Sequence, residues 1–186
     1  MSKLTKIATE MDGLFLIEHE NFFDERGLFF EFFNEADFFQ IDIKNKFVQD
    51  NVSVSKKGVI RGMHFQKDGY AQSKLIKVVK GKILDVVVDM RKNSKTFGKY
   101  FKVELSSDKN IMLFIPRGFA HGFLSLENDT TILYKNDNFY SKENEDGILW
   151  NDTFVNIDWN LKKYGIENLI ISEKDKKYRK FEEVVK

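Results

Sequence analysis

Two histidines of this chain lie in settings suited to acid–base chemistry. His64 sits in Gly58-Val-Ile-Arg61-Gly-Met-His64-Phe-Gln66, with an arginine before it and a glutamine after it. His121 sits in Pro116-Arg-Gly118-Phe-Ala-His121-Gly122. An imidazole titrates near ~6.5, so it takes up and returns a proton at neutral pH. The only other histidine, His19, is remote in sequence. Cysteine is absent, which excludes disulfides, thiolate metal sites and cysteine nucleophiles together. A transition metal needs several N or O ligands. Position 66, where a His-x-His pair would supply its second imidazole, is Gln66, so a metal set would be short of ligands. Arginine is scarce: five of 30 basic residues, Arg26, Arg61, Arg91, Arg117 and Arg179. An arginine here is therefore a candidate for forked phosphate recognition, which lysine cannot perform.

These groups must be held by strands. Apolar and β-branched runs at 13–18, 28–33, 47–53, 58–66, 74–80, 82–90, 99–105, 111–115, 121–126 and 130–136 are separated by turn-prone residues such as Lys67-Asp68-Gly69 and Asn128-Asp129. Many short strands at this spacing predict a sandwich or barrel. Along Leu84–Met90 the apolar positions alternate with Asp85, Val87 and Asp89, which puts two carboxylates on one face and suits a barrel lumen. Helix is expected only in short peripheral pieces: one over 35–41 capped by Asn34, and one from Ser172 through Val185. Arg61 and His64 have opposite strand parity. For both to face one ligand the strand must be interrupted, and Gly62 is the natural place for a bulge.

The 186 residues fit one domain, 1–186, with 42% apolar and 32% charged side chains. A net charge of +1 provides no field toward nucleic acid. No apolar run approaches the ~20 residues of a membrane helix, and the first twenty residues hold none suited to a secretory signal. The expectation is a cytoplasmic protein with neither a nucleic-acid nor a membrane partner.

The Pro-x-Gly-x-x-His segment at Pro116–His121 resembles the second motif of cupin barrels. A closer resemblance is carried by Phe23-Asp-Glu-Arg26-Gly-Leu-Phe-Phe-Glu31, Phe47-Val-Gln49-Asp50-Asn51, Val59-Ile-Arg61-Gly-Met-His64-Phe-Gln66 and Gln72-Ser-Lys74-Leu. It continues through Asp85-Val-Val-Val-Asp89-Met-Arg91, Thr96-Phe-Gly98-Lys, Ile115-Pro-Arg-Gly-Phe-Ala-His121-Gly-Phe, Leu133-Tyr134-Lys135, Leu149-Trp150-Asn-Asp152 and Ser172-Glu-Lys174-Asp175. In order over roughly 12–175, these runs resemble the dTDP-4-dehydrorhamnose 3,5-epimerases, metal-independent cupin enzymes of nucleotide-sugar biosynthesis for surface polysaccharide.

The resemblance implies a mainly β, cupin-type double-stranded β-helix (jelly-roll) barrel with short peripheral helices. It implies a homodimer with exchanged N-terminal strands, no metal or other cofactor, and a dTDP-linked 4-keto-6-deoxyhexose as substrate. His64 takes the place of the family's base and Asp175 that of the carboxylate hydrogen-bonded to it. Tyr134 matches the acid on the opposite sugar face and Lys74 the cation near the C4 oxygen. Asp85 and His121 match polar residues lining the same pocket. Arg26, Glu31, Gln49, Asn51, Arg61, Glu145 and Lys174 fall on nucleotide and pyrophosphate contacts, with Asp50 among the substrate-binding positions. Tyr140 matches the aromatic that stacks on thymine. Departures fall in turns and loop rims: Lys95, Arg117, Lys142 and Asn160 replace prolines, and Asp146 stands where glycine is frequent. By spacing alone, Ser172-x-x-Asp175 also fits a helix capping box. An epimerase acting at one carbon only, a non-catalytic sugar-nucleotide-binding cupin and a metal-dependent cupin oxygenase stand as alternatives.

Overall fold

The structure is a computed structural model that describes residues 3–186. Along these residues run β1 (Leu4–Ala8), β2 (Phe15–His19), β3 (Phe22–Asp24), β4 (Gly27–Phe29), α1 (Glu35–Gln40), β5 (Gln49–Ser55), β6 (Val59–Gln66) and β7 (Lys74–Lys80). There follow β8 (Lys82–Asp89), β9 (Tyr100–Ser106), β10 (Ile111–Ile115), β11 (Phe119–Ser125), β12 (Thr130–Asn136), β13 (Glu145–Gly147), β14 (Ile170–Ile171) and α2 (Phe181–Val184). One sheet has the order β1-β2-β10-β7-β12-β5, the other β13-β6-β11-β8-β9 with β14 beside β6. From β5 to β12 the chain passes back and forth between the two sheets, which makes a jelly roll of the cupin type.

The two-residue side-chain period sorts each strand between layers. Ile76, Val78, Ile83, Val87, Leu113, Phe123 and Ile132 fill the space between the sheets. On the outer face of the first sheet, Phe38 of α1 packs on Leu75, Met112 and Phe114. On the outer face of the second, Ile60, Met63, Leu84, Val86 and Val88 are covered by Ile148, Trp159, Ile166 and Phe181. Burying one such side chain stabilises the fold by about 1.5–3 kcal/mol relative to leaving it in water. No helix is long and apolar enough to cross a membrane.

Asn34 caps α1 as expected, accepting from the Ala36 amide at 3.1 Å. The long helix expected from Ser172 does not form. Ser172 Oγ accepts from the Asp175 amide at 3.0 Å, but only a 3-10 turn follows, Asp175–Lys177, with Lys174 at its N-cap position. Tyr178 is then extended, and helix resumes only in the four residues of α2. The strand expected over 28–33 stops at Phe29 as half of a β3–β4 hairpin, and β1 was not anticipated. Asp85 faces the lumen, but Asp89 does not line a pocket. It is fully buried and ties down the following turn by accepting from Arg91, Ser94 and Thr96.

Candidate active site

The wall that carries His64 is built around a bulge. His121 pairs with His64 and Phe123 with Arg61, so Gly62 and Met63 together oppose the single residue Gly122. Residues 121 and 123 share one face of β11, and directly paired residues share a face of the sheet. The extra residue therefore cancels the parity difference and brings Arg61 and His64 to the same side, as expected. Gly62 adopts φ +111°, and a Cβ there would lie 2.5 Å from the His121 carbonyl oxygen and 2.6 Å from the Gly122 Cα. Only glycine fits this approach.

His64 opens into a cleft of ≈ 340 Å³ lined also by Gln49, Asn51, Phe65, Gln66, Gln72, Lys74, Tyr134, Asn136, Tyr140, Glu145 and Lys174. Its two walls belong to different sheets. His64 and Glu145 come from β6 and β13 of the second, whereas Lys74, Tyr134, Gln49 and Asn51 come from β7, β12 and β5 of the first. Behind His64, the His121 ring lies 6.5 Å away, centroid to centroid. His121 Nε2 donates to both oxygens of the fully buried Asp85, at 3.0 and 2.9 Å.

Burial pushes the His64 imidazole well below its usual range, and the positive fields of Lys74, His121, Lys174 and Arg61 push the same way. The ring is therefore neutral, as a base must be. Burial lowers the Lys74 ammonium to about 8, while Asp85 and Glu145 oppose that shift. Burial raises the Tyr134 phenol, so it stays protonated as a donor, with only a partial counter-effect from Arg61. Arg61 thus acts electrostatically on both His64 and Tyr134. It reaches across to β5, donating to Ser55 Oγ at 3.1 Å and to the Val54 carbonyl at 3.3 Å.

At the outer end of the cleft Glu145 gathers three donors: Lys174 Nζ at 2.7 Å, Tyr140 Oη at 2.9 Å and Tyr178 Oη at 3.3 Å. Burial works against the charge of Glu145, but these hydrogen bonds prevail and hold it below the usual carboxylate range. Tyr140 is fixed again where its amide donates to Gln49 Oε1 at 3.0 Å, and Gln49 Nε2 donates to Asn51 at 3.1 Å.

Several expected contacts are placed differently. Arg61, Asp85 and His121 are not among the residues that line the cleft. Asp175 is buried beside the bulge, but Asp175 Oδ2 accepts from the Gly62 amide at 3.2 Å, and no hydrogen bond joins Asp175 to the His64 ring. Asp50 alternates with Gln49 and Asn51, so its carboxylate falls on the opposite face of β5 and binds Lys135 Nζ at 2.7 Å. Arg26 lies in the β3–β4 hairpin outside the cleft, bound to Asp24. Glu31 is likewise outside, bound to Lys3 at 2.9 Å and to Asn34. His19 is buried against Phe30 at a centroid distance of 4.5 Å, away from the cleft. Among the described residues, no group of three or more His, Asp and Glu side chains is arranged to hold a metal ion.

A sequence model of the dTDP-4-dehydrorhamnose 3,5-epimerases matches residues 8–183. The chain belongs to that family. It is an epimerase, and so an isomerase. It is similar to the dTDP-4-dehydrorhamnose 3,5-epimerase of Methanothermobacter thermautotrophicus, 45% identical over 98% of this chain and 97% of that one. It is also similar to that of Shigella flexneri, 47% identical over 94% of each. The crystal structure of dTDP-6-deoxy-D-glucose-3,5-epimerase from Legionella pneumophila, in complex with dTDP-4-keto-L-rhamnose, superimposes with a TM-score of 0.91 at 38% identity, covering 96% of this chain and 93% of that one.

Phe65, Gln66, Gln72 and Asn136 line the cleft of the epimerase without having been assigned to the site from the sequence, and Tyr178 beside it was missed as well. Asn136 Oδ1 is buried at the cleft with no hydrogen-bond partner. An asparagine inside a strand is uncommon and was the available signal. Tyr178, the third donor to Glu145, lay in the segment read as a helix from Ser172 through Val185 and offered none.

Proposed function

We propose that the epimerase inverts C3 and C5 of dTDP-4-dehydro-6-deoxy-D-glucose to give dTDP-4-dehydro-L-rhamnose. The observation that carries this reading is the split of the cleft between two sheets, with a neutral imidazole on one wall and a protonated phenol on the other. His64 removes the proton from the carbon beside the C4 ketone, and the electron pair of the broken C–H bond moves onto the C4 oxygen as an enolate. The Lys74 ammonium stabilises that oxyanion, the electrostatic contribution that usually dominates such steps. Tyr134 then delivers a proton to the opposite face, and solvent resets both groups. General acid–base steps of this kind contribute on the order of 10²–10⁴ each in rate. The carboxylate of Asp175, held on the Gly62 amide two residues before His64, favours the imidazolium that forms. Asp85 and His121 support the inner wall.

At the outer end, Tyr140 stacks on thymine while Arg61 and Lys174 engage the pyrophosphate, with Gln49, Asn51 and Glu145 completing the nucleotide site. Arg26 and Glu31 reach such a site only from a second copy. The β3–β4 hairpin supports that arrangement, since it exposes Phe22, Phe23, Leu28 and Phe29 around Arg26. The enzyme acts as a single-domain homodimer in the cytoplasm. Incubation with dTDP-4-keto-6-deoxyglucose in deuterated buffer tests the reaction. Deuterium at both C3 and C5 of the product is expected; label at one carbon makes the enzyme a mono-epimerase, and no label makes the cleft a binding site only.

A further inference from the structure

The C-terminal segment grips the active-site wall at two places. Asp175 holds the Gly62 amide at the bulge. Three residues on, the Tyr178 ring lies flat over Gly147, where a Cβ would fall 2.8 Å from both ring Cδ atoms. Gly147 pairs directly with His64 across β13 and β6. The adjoining backbone is fastened as well, because the Leu149 amide donates to the Arg179 carbonyl at 3.0 Å.

From this anchored position Tyr178 Oη reaches Glu145 Oε1, the same oxygen that accepts from Lys174, while the other oxygen accepts from Tyr140. Resting on the nucleotide-site reading above, we infer that Tyr178 is a positioning residue for nucleotide binding, holding Glu145 and through it the Tyr140 ring. When Lys174 turns to the pyrophosphate, Glu145 loses its shortest hydrogen bond. Tyr178 is then the donor that keeps the carboxylate, and with it the Tyr140 hydroxyl, in place. Lys174 is an exposed cation on a long unbranched stem, whereas the Tyr178 ring is packed against Gly147. Burial and the nearby carboxylates Glu145 and Asp175 drive the Tyr178 phenol far above its usual range, so it remains a donor at every working pH.

Tyr178→Phe keeps the ring on Gly147 and removes only the hydroxyl. Calorimetric titration of dTDP into wild type, Tyr178→Phe, Tyr140→Phe and the double variant tests the inference, together with steady-state kinetics on dTDP-4-keto-6-deoxyglucose. Tyr178→Phe is expected to weaken dTDP binding about three- to tenfold and to raise KM comparably, the worth of one ordinary hydrogen bond, as suits its 3.3 Å length. Its kcat should change less than about twofold, and its effect on affinity should largely vanish in the Tyr140→Phe background. Wild-type affinity in Tyr178→Phe, an equal loss in both backgrounds, or a lower melting temperature with normal dTDP binding each overturn it. Failure of the wild type itself to bind dTDP instead rejects the nucleotide site on which the inference rests.

Discussion

His64 and His121 are paired directly across β6 and β11, with ring centroids 6.5 Å apart and planes at 55°, yet only His121 is bound to a carboxylate. Asp85 fixes the inner ring, and His64 is left free to face the cleft. One imidazole thus serves as a wall while its neighbour remains available as a base.

That asymmetry sets the pH dependence. On the proposed mechanism, activity needs His64 neutral and Lys74 charged. The His64 value is depressed well below 6.5, so the acid limb of kcat/KM falls below that pH. Lys74 loses its charge near 8, which places the alkaline limb there. Asp85 raises the Lys74 value, so Asp85→Asn should move the alkaline limb to lower pH. A pH–rate profile of both proteins checks the sign; a limb that stays in place or moves upward would separate Asp85 from Lys74.

Base and acid should fail in different ways. His64→Asn removes proton abstraction and is expected to abolish solvent deuterium exchange at both carbons while dTDP still binds. In Tyr134→Phe, His64 can remove a proton and return it to the same face, so exchange persists while inversion falls by about 10² or more. Asp175→Asn keeps an acceptor for the Gly62 amide but removes the charge that favours the imidazolium. Exchange and inversion should both slow in that variant, by less than in His64→Asn. Mass spectrometry and product stereochemistry read all three; near wild-type exchange in His64→Asn would place the base elsewhere.

Gly62→Ala tests the bulge. The added methyl meets the His121 carbonyl and the Gly122 Cα at distances no packed atom tolerates, on a backbone already at positive φ. A loss of about 2–4 kcal/mol in urea unfolding is expected, accompanied by loss of activity. A fully stable and active Gly62→Ala would mean that β6 and β11 are not so closely apposed.

The proposed exchange between two copies predicts complementation. Arg26→Ala and His64→Asn should each be poorly active alone. When the two proteins are unfolded together and refolded, a mixed dimer contains one cleft with an intact His64 and an Arg26 donated by the other copy. Recovery of activity in the mixture is expected, along with a dimer mass in sedimentation. Activity no higher than the sum of the separate proteins would show that Arg26 does not act across copies.

Much of this site could be read in the sequence because its signals are local. A glycine between Arg61 and His64 is a break in a strand, the Pro116–His121 run fixes a strand entry, and Asn34 before an acidic turn is a helix cap. Each depends on neighbours a few residues away. The Ser172 segment shows where that reasoning stops. Its capping spacing was real, but burial of the Asp175 carboxylate on the Gly62 amide and of the Tyr178 ring on Gly147 outweighed continued helix. Asp50 was misplaced for the opposite reason: a matching run cannot say which face of the strand each member takes. Arg26 lies on a protruding hairpin and Glu31 in the segment just after it, and no short run encodes where such a hairpin lies. Glu145 makes the division plain. Its donors come from 5, 29 and 33 residues away, and only packing of the C-terminal segment against β13 brings them to one carboxylate. Residue types and short spacings therefore determined the chemistry available to this protein. The tertiary structure decided which groups share a cleft, because burial and hydrogen bonding between distant segments are not encoded in any short run.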